Sequence, residues 1–144
     1  MTRKQVRQVQ RSFEVIRPIA DLAAGVFYSR LFEIDPSLRG LFHADLREQG
    51  KKLVQALTVA VRGLERWEQV APAVEDLGAR HVGYGVRDEH YDTVGAALLW
   101  TLERALGDGF SSEVREAWAA AYSAVADTMR RGAARPIPQG AKAA

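Results

Sequence analysis

Apolar residues recur at steps of three and four through almost the whole chain, which is the spacing of one face of a helix. Val6, Val9, Phe13 and Ile16 form the first such stripe. Pro18 interrupts it and suits the first turn of a second helix, which runs through Ile19, Leu22, Val26 and the Phe27–Tyr28 pair to about Phe32. Asp35-Pro36 is a strong boundary, because a residue before proline avoids the helical region. A short helical turn is expected from Pro36 to Phe42, then a loop from His43 to Leu46. The pattern predicts a long helix from Arg47 to Trp67, with Leu53, Leu57, Ala60 and Leu64 on one face, and another from Val70 to Gly83. Gly83, Gly85 and Asp88 mark the turn that follows. A further helix from Glu89 to Leu106 is closed by Gly107, Asp108 and Gly109. Ser111 or Ser112 can cap the last helix, which carries Val114, Trp118, Tyr122, Val125 and Met129. Residues 134–144 have no stripe and are expected to be a disordered tail after one domain over residues 1–133. There is no alternating strand pattern and no internal repeat. The expected class is all-α, with about seven helices of unequal length.

Composition narrows the chemistry. A chain of 144 residues suits a single domain with a real core and room for one small-molecule pocket. It is 47% hydrophobic and 26% charged, which is ordinary for a soluble globular protein. The net charge of +2 is a small excess. Arg3, Lys4, Arg7 and Arg11 lie at helical spacing and read as a solvated face, so no nucleic-acid partner is expected. The absence of cysteine excludes disulfides, thiolate metal sites and iron–sulfur clusters. No run of about 18 apolar residues and no apolar signal-peptide core occurs. No membrane partner is expected, and the expected location is cytoplasmic.

Three polar residues stand where the stripes call for apolar ones. The stripe Val70, Val74, Leu77, His81, Tyr84 turns His81 inward, and an unpartnered buried imidazole is costly. Two readings are open: a core histidine bonded to a carbonyl, or a metal or haem ligand. Gln49 shares a face with Leu53, Ala56, Ala60 and Leu64, and Tyr28 aligns with Ala24 and Leu31. His43 and His90 are expected to face solvent. Three scattered histidines do not make a zinc site. His81 alone can hold only a cofactor that brings its other ligands, as haem does with four porphyrin nitrogens. There is no phosphate-binding glycine loop and no glycine–serine–glycine nucleophile elbow.

Val-Phe-Tyr-Ser-Arg-Leu-Phe around Tyr28, Pro36, Leu41-Phe42, Gln49 with Lys51-Lys52-Leu53, and Leu-Gly-Ala-Arg-His-Val-Gly-Tyr-Gly-Val around His81 stand in a familiar order. With Glu-His-Tyr-Asp-Thr-Val-Gly and Ala-Trp-Ala-Ala-Ala-Tyr, they resemble the globin family over about residues 5 to 131. The resemblance is to bacterial single-domain globins, which are similar to the haem domain of flavohaemoglobins. It implies the globin fold over residues 1–133 and haem b as cofactor. It implies His81 as proximal ligand, Phe42 stacked on the porphyrin, Gln49 and Tyr28 as distal polar residues, and Leu53 as the apolar wall above the iron. Lys52 and Arg80 are expected to pair with propionates, and Leu77, Val86, Tyr91 and Val94 to complete the cofactor contacts.

A hydroxyl and an amide that donate hydrogen bonds in a dry pocket suit dioxygen, carbon monoxide and nitric oxide as ligands. The expected role is therefore reversible gas binding, as oxygen transport or storage. Two alternatives follow from the same resemblance: nitric oxide dioxygenase chemistry with a separate reductase, and a gas-sensor module. Tyr91 stands ten residues after His81, where flavohaemoglobin-like domains carry a tyrosine. The glutamate that usually completes their proximal hydrogen-bond set falls near Ala133 and is missing. That loss, with no flavin or nicotinamide domain following, weakens the enzyme reading. A monomer or a homodimer fits the sequence.

Overall fold

The computed structural model describes residues 1–42 and 45–135. Six α-helices occur there: α1 (Arg3–Ile16), α2 (Ala20–Ile34), α3 (Leu46–Arg62), α4 (Trp67–Gly83), α5 (Asp88–Leu106) and α6 (Ser112–Ala133). Short 3-10 turns occupy Arg17–Ile19, Pro36–Leu41, Leu64–Arg66 and Gly107–Gly109. The described residues contain no strand. The loop expected at His43 and all but the first two residues of the expected tail lie outside the described residues.

Helix ends follow local chemistry. Thr2 and Gln5 exchange side-chain and backbone hydrogen bonds at the start of α1, which satisfies two otherwise orphaned N–H groups. Asp45 caps α3 by accepting from the Arg47 N–H, and Ser111 caps α6 by accepting from the Val114 N–H. Pro18 sits in the 3-10 turn before α2 and not inside that helix.

The long helix expected from Arg47 to Trp67 is divided. It ends at Arg62, and Trp67 opens α4. The cause is tertiary. Gly63 is buried, and a Cβ there would meet the Val70 side chain at well under van der Waals distance. The chain can therefore fold α4 back tightly only through a glycine.

The core falls into two apolar clusters. The larger joins α1, α2, α3, α5 and α6 through Val9, Phe13, Tyr28, Leu31, Leu98 and Trp118, among others. Trp118 is only 2% exposed, and its indole N–H donates to Ser12 Oγ at 2.8 Å. The smaller cluster, with Val74, Tyr91, Ala126 and Met129, ties α4 to α5 and α6. Two glycines set the α4–α6 crossing: a Cβ on Gly78 would overlap the Met129 backbone, and one on Gly132 would overlap the Glu75 backbone. Helix α4 is thus pressed directly onto α6, and this contact decides where its C-terminal residues stand.

Candidate functional site

The last turn of α4 carries His81. Its Nδ1 lies 2.7 Å from the Leu77 carbonyl oxygen one turn earlier. A carbonyl can only accept, so Nδ1 bears the proton and Nε2 keeps its lone pair. Burial holds the imidazole below its ordinary value of 6.5; the Leu77 carbonyl opposes that shift and Arg80 adds to it. Burial and Arg80 leave a neutral ring whose Nε2 has no hydrogen-bond partner among the described residues, which is the state a metal ligand requires. Tyr84 meets His81 edge-on, with ring centroids 5.6 Å apart. Tyr84 does not continue the inward stripe, however, because it caps the helix and is 47% exposed.

The turn after α4 brings the chain back beside this ring. Tyr84 and Val86 both donate their backbone N–H groups to the His81 carbonyl, each at 3.1 Å. Gly85 takes a positive φ of 91°, a conformation that disfavours side chains. Val86 is half-buried and packs with Leu77 against the smaller cluster.

Tyr28, Phe42 and Leu53 belong to the larger cluster. Tyr28 is 5% exposed and contacts three aromatic rings: Phe27 at 5.1 Å, Phe42 at 5.3 Å and Phe32 at 6.2 Å. Its hydroxyl reaches the Gln49 main-chain carbonyl at 3.5 Å, which is long for a hydrogen bond. The hydroxyl is therefore held near the start of α3 by a weak contact and remains able to donate elsewhere. Phe42 is also packed against Phe32, at 5.6 Å. The sequence reading missed Phe32, although it lies four residues after Tyr28 and so on the same side of α2.

Burial pushes the Tyr28 hydroxyl up to about 12, partly offset by the nearby Gln49 side-chain amide, which can donate to the phenolate. An unfolded chain loses this proton near the ordinary value of 10.0, whereas the folded chain keeps it. Stability must then fall as pH rises through that window, by on the order of 2 kcal/mol. Tyr28→Phe is expected to flatten this part of a melting-temperature profile taken from pH 9 to 12. An equally steep alkaline loss in the variant would show that Tyr28 is not its source.

The remaining expected residues divide by environment. Leu53 and Val94 are half-buried against the larger cluster, and Leu77 and Val86 against the smaller one. Leu57, which the sequence places on the same helix face as Leu53, joins the first group. Gln49 is half-buried, while Lys52 and Arg80 are exposed. Tyr91 is buried, and its ring lies 5.0 Å below the Arg130 guanidinium. Tyr122 donates its hydroxyl to the Tyr91 carbonyl. Among the described residues no hydrogen bond joins Tyr91 to His81, and Arg130 holds Asp88, Asp92 and Asp127 in ion pairs. No sequence pattern links Arg130 to Tyr91, because they come from different helices. The expectation that His90 faces solvent is wrong. It is 6% exposed, and its Nδ1 accepts the Arg87 backbone N–H at 2.9 Å, where it caps α5.

Among the described residues no three His, Asp or Glu side chains converge as a metal set. A single imidazole with half-buried Leu77 and Val86 next to it on the chain fold instead fits a flat apolar macrocycle that supplies its own equatorial nitrogens. The residues present fit haem.

The Globin family profile matches residues 25–129, most of the chain. This chain belongs to the globin family. Its curated relatives include a flavohemoprotein of Rhizobium meliloti (strain 1021), 34% identical over 106 residues, which are 72% of this globin and 26% of that protein. The flavohemoprotein of Bacillus subtilis (strain 168) is 27% identical over 129 residues, 88% of this globin and 32% of the relative. This globin thus spans about a quarter to a third of the length of the curated relatives it matches. Among solved structures, a bacterial globin from Campylobacter jejuni superposes with a TM-score of 0.81 at 25% identity, covering 92% of this chain and 96% of that one. The all-α globin fold expected from sequence is therefore correct. No helix among the described residues is long and apolar enough to cross a membrane.

Proposed function

We propose that this globin holds haem b through His81 Nε2 and binds dioxygen and related diatomic gases reversibly. The observation that carries the reading is the His81 imidazole itself, neutral, with Nδ1 committed to the Leu77 carbonyl and Nε2 without a partner among the described residues. Haem supplies an iron centre with four nitrogen ligands and a further position for a gas. The chain supplies the rest. Leu53, Leu57, Val86 and Val94 give an apolar surround that excludes water, and Phe42, braced by Phe32 and Tyr28, gives a flat aromatic wall. The Tyr28 hydroxyl, kept protonated by burial, and the Gln49 amide are the hydrogen-bond donors for a ligand. Lys52 and Arg80, both exposed, are the cations for the propionates at the rim.

Transport or storage of oxygen is favoured over nitric oxide dioxygenase turnover by the partner of His81. A backbone carbonyl is a weaker hydrogen-bond acceptor than a carboxylate, so it gives the imidazole less donor strength for oxygen activation. Turnover would also require a reductase that delivers electrons to the iron one at a time. The test is an absorption spectrum of the protein reconstituted with haem, reduced without oxygen, then exposed in turn to oxygen and carbon monoxide. An intense Soret band that shifts with each gas and returns on purging is expected. Failure to retain haem through gel filtration would remove the proposal.

A further inference from the structure

Helix α2 has two working faces. Ala24, Phe27, Tyr28 and Leu31 are buried in the core. On the opposite side stand Leu22, Gly25, Val26 and Ser29, beside Trp100 of α5, around a shallow depression of about 480 Å³. Leu22 is 69% exposed, and Ile19 extends the apolar stripe toward the start of the helix at 42%. Gly25 lies in the middle of this face, where a Cβ would meet nothing within 4 Å. Its φ is not positive, so neither backbone conformation nor crowding within the chain requires glycine there. A helix interior with glycine is less stable than one with alanine. Nothing among the described residues offsets that cost.

Among the described residues, Asp21 is the one charged residue that lines the depression, and two arginines stack on its Trp100 wall, where Arg104 also neighbours Glu103 and Asp108. Asp21 lines it on one side and has no ion pair among the described residues. Arg104 and Arg30 lie over the Trp100 ring at 4.3 and 4.9 Å. Arg104 also has no ion pair among the described residues. Arg30 pairs with Glu33 through one terminal nitrogen, but its Nε is shielded from solvent and has no hydrogen-bond partner among the described residues. In a two-fold pair the same patch serves both subunits, and the residue at one edge meets the residue at the opposite edge of its copy. A patch with an acid at one edge and cations at the other is complementary to itself.

We propose that this α2–α5 face is the contact between two copies of this chain. Leu22, Val26 and Trp100 form its apolar centre, and Gly25 allows the helices to approach closely. Asp21 of each copy meets the Arg104–Trp100–Arg30 stack of the other. The face points away from Tyr28, so pairing leaves the candidate haem site clear.

The test is sedimentation velocity of the full chain from micromolar to millimolar concentration. Wild type is expected to pass from monomer to dimer mass. Leu22→Asp and Gly25→Arg are expected to remain monomeric throughout with melting temperatures near wild type, since neither side chain touches the core. Gly25→Ala gives the sharper result: a higher melting temperature in the monomer together with weaker self-association. Asp21→Arg is expected to weaken the dimer roughly fivefold, and adding Arg104→Asp to restore it. A wild type that stays monomeric, or a dimer indifferent to both Leu22→Asp and Gly25→Ala, overturns the proposal.

Discussion

His81→Ala is expected to keep the helical fold and lose tight haem binding, by on the order of a hundredfold or more. Alanine is the best helix former, so α4 itself is not weakened at this position. Nor does the change orphan a buried acceptor, because the Leu77 carbonyl keeps the backbone N–H of residue 81 in the helical ladder. What disappears is the one nitrogen with an uncommitted lone pair. Free imidazole added to the variant can enter the space left by the ring and is expected to restore much of the Soret band. Haem titration followed by absorbance, with circular dichroism alongside, separates the two readings of this residue. If His81 only packs the core, the variant will melt earlier and bind haem as wild type does, and imidazole will change nothing.

Gly78→Ala is expected to destabilise the protein by about 3 kcal/mol, which for a chain of this size lowers the melting temperature by roughly 10 °C. Helix propensity alone points the other way, since glycine to alanine in a helix interior normally stabilises by about 1 kcal/mol. The sign of the result therefore decides between local and tertiary control. The structure favours destabilisation, because the new Cβ would come within 2.6 Å of Met129 Cα, and backbone cannot swing aside as a side chain can. Gly132→Ala is expected to behave alike, with its Cβ 2.7 Å from Glu75 Cα. The functional consequence is larger than the loss of stability suggests. His81 lies three residues beyond Gly78, so pushing α4 off α6 displaces the imidazole and is expected to weaken haem binding as well. A melting temperature at or above that of wild type would mean that the helices separate freely and that the glycines do not position the site.

The helices themselves were legible in the chain because burial on one face of a helix leaves a repeating mark. Val9, Phe13 and Ile16 lie on the stripe and are buried, as are Ala24, Tyr28 and Leu31. His81, Tyr28 and Gln49 were visible for the complementary reason: each is a polar group on an apolar face, and such a placement needs a partner. The hydrogen bond from His81 to the Leu77 carbonyl is also local, spanning one turn. The same reasoning failed at His90, which opens a helix in a polar run and yet is buried as a cap. It failed again at residues 62 to 67, where continuous apolar spacing hides a break at Gly63. Periodicity reports what one helix buries and does not report how near the next backbone comes.

Sequence by itself thus determined the all-helical class and the apolar faces on which His81 and Tyr28 stand. Tertiary structure alone decided how the helices that carry them pack. The crossing of α4 on α6 through Gly78 and Gly132, the bracing of Phe42 by Phe32, and the placement of Arg130 over Tyr91 all join residues from separate elements. The physical reason is range. Helix formation and side-chain orientation follow from neighbours within four residues, whereas close packing depends on atoms far apart in the chain filling the same small volume.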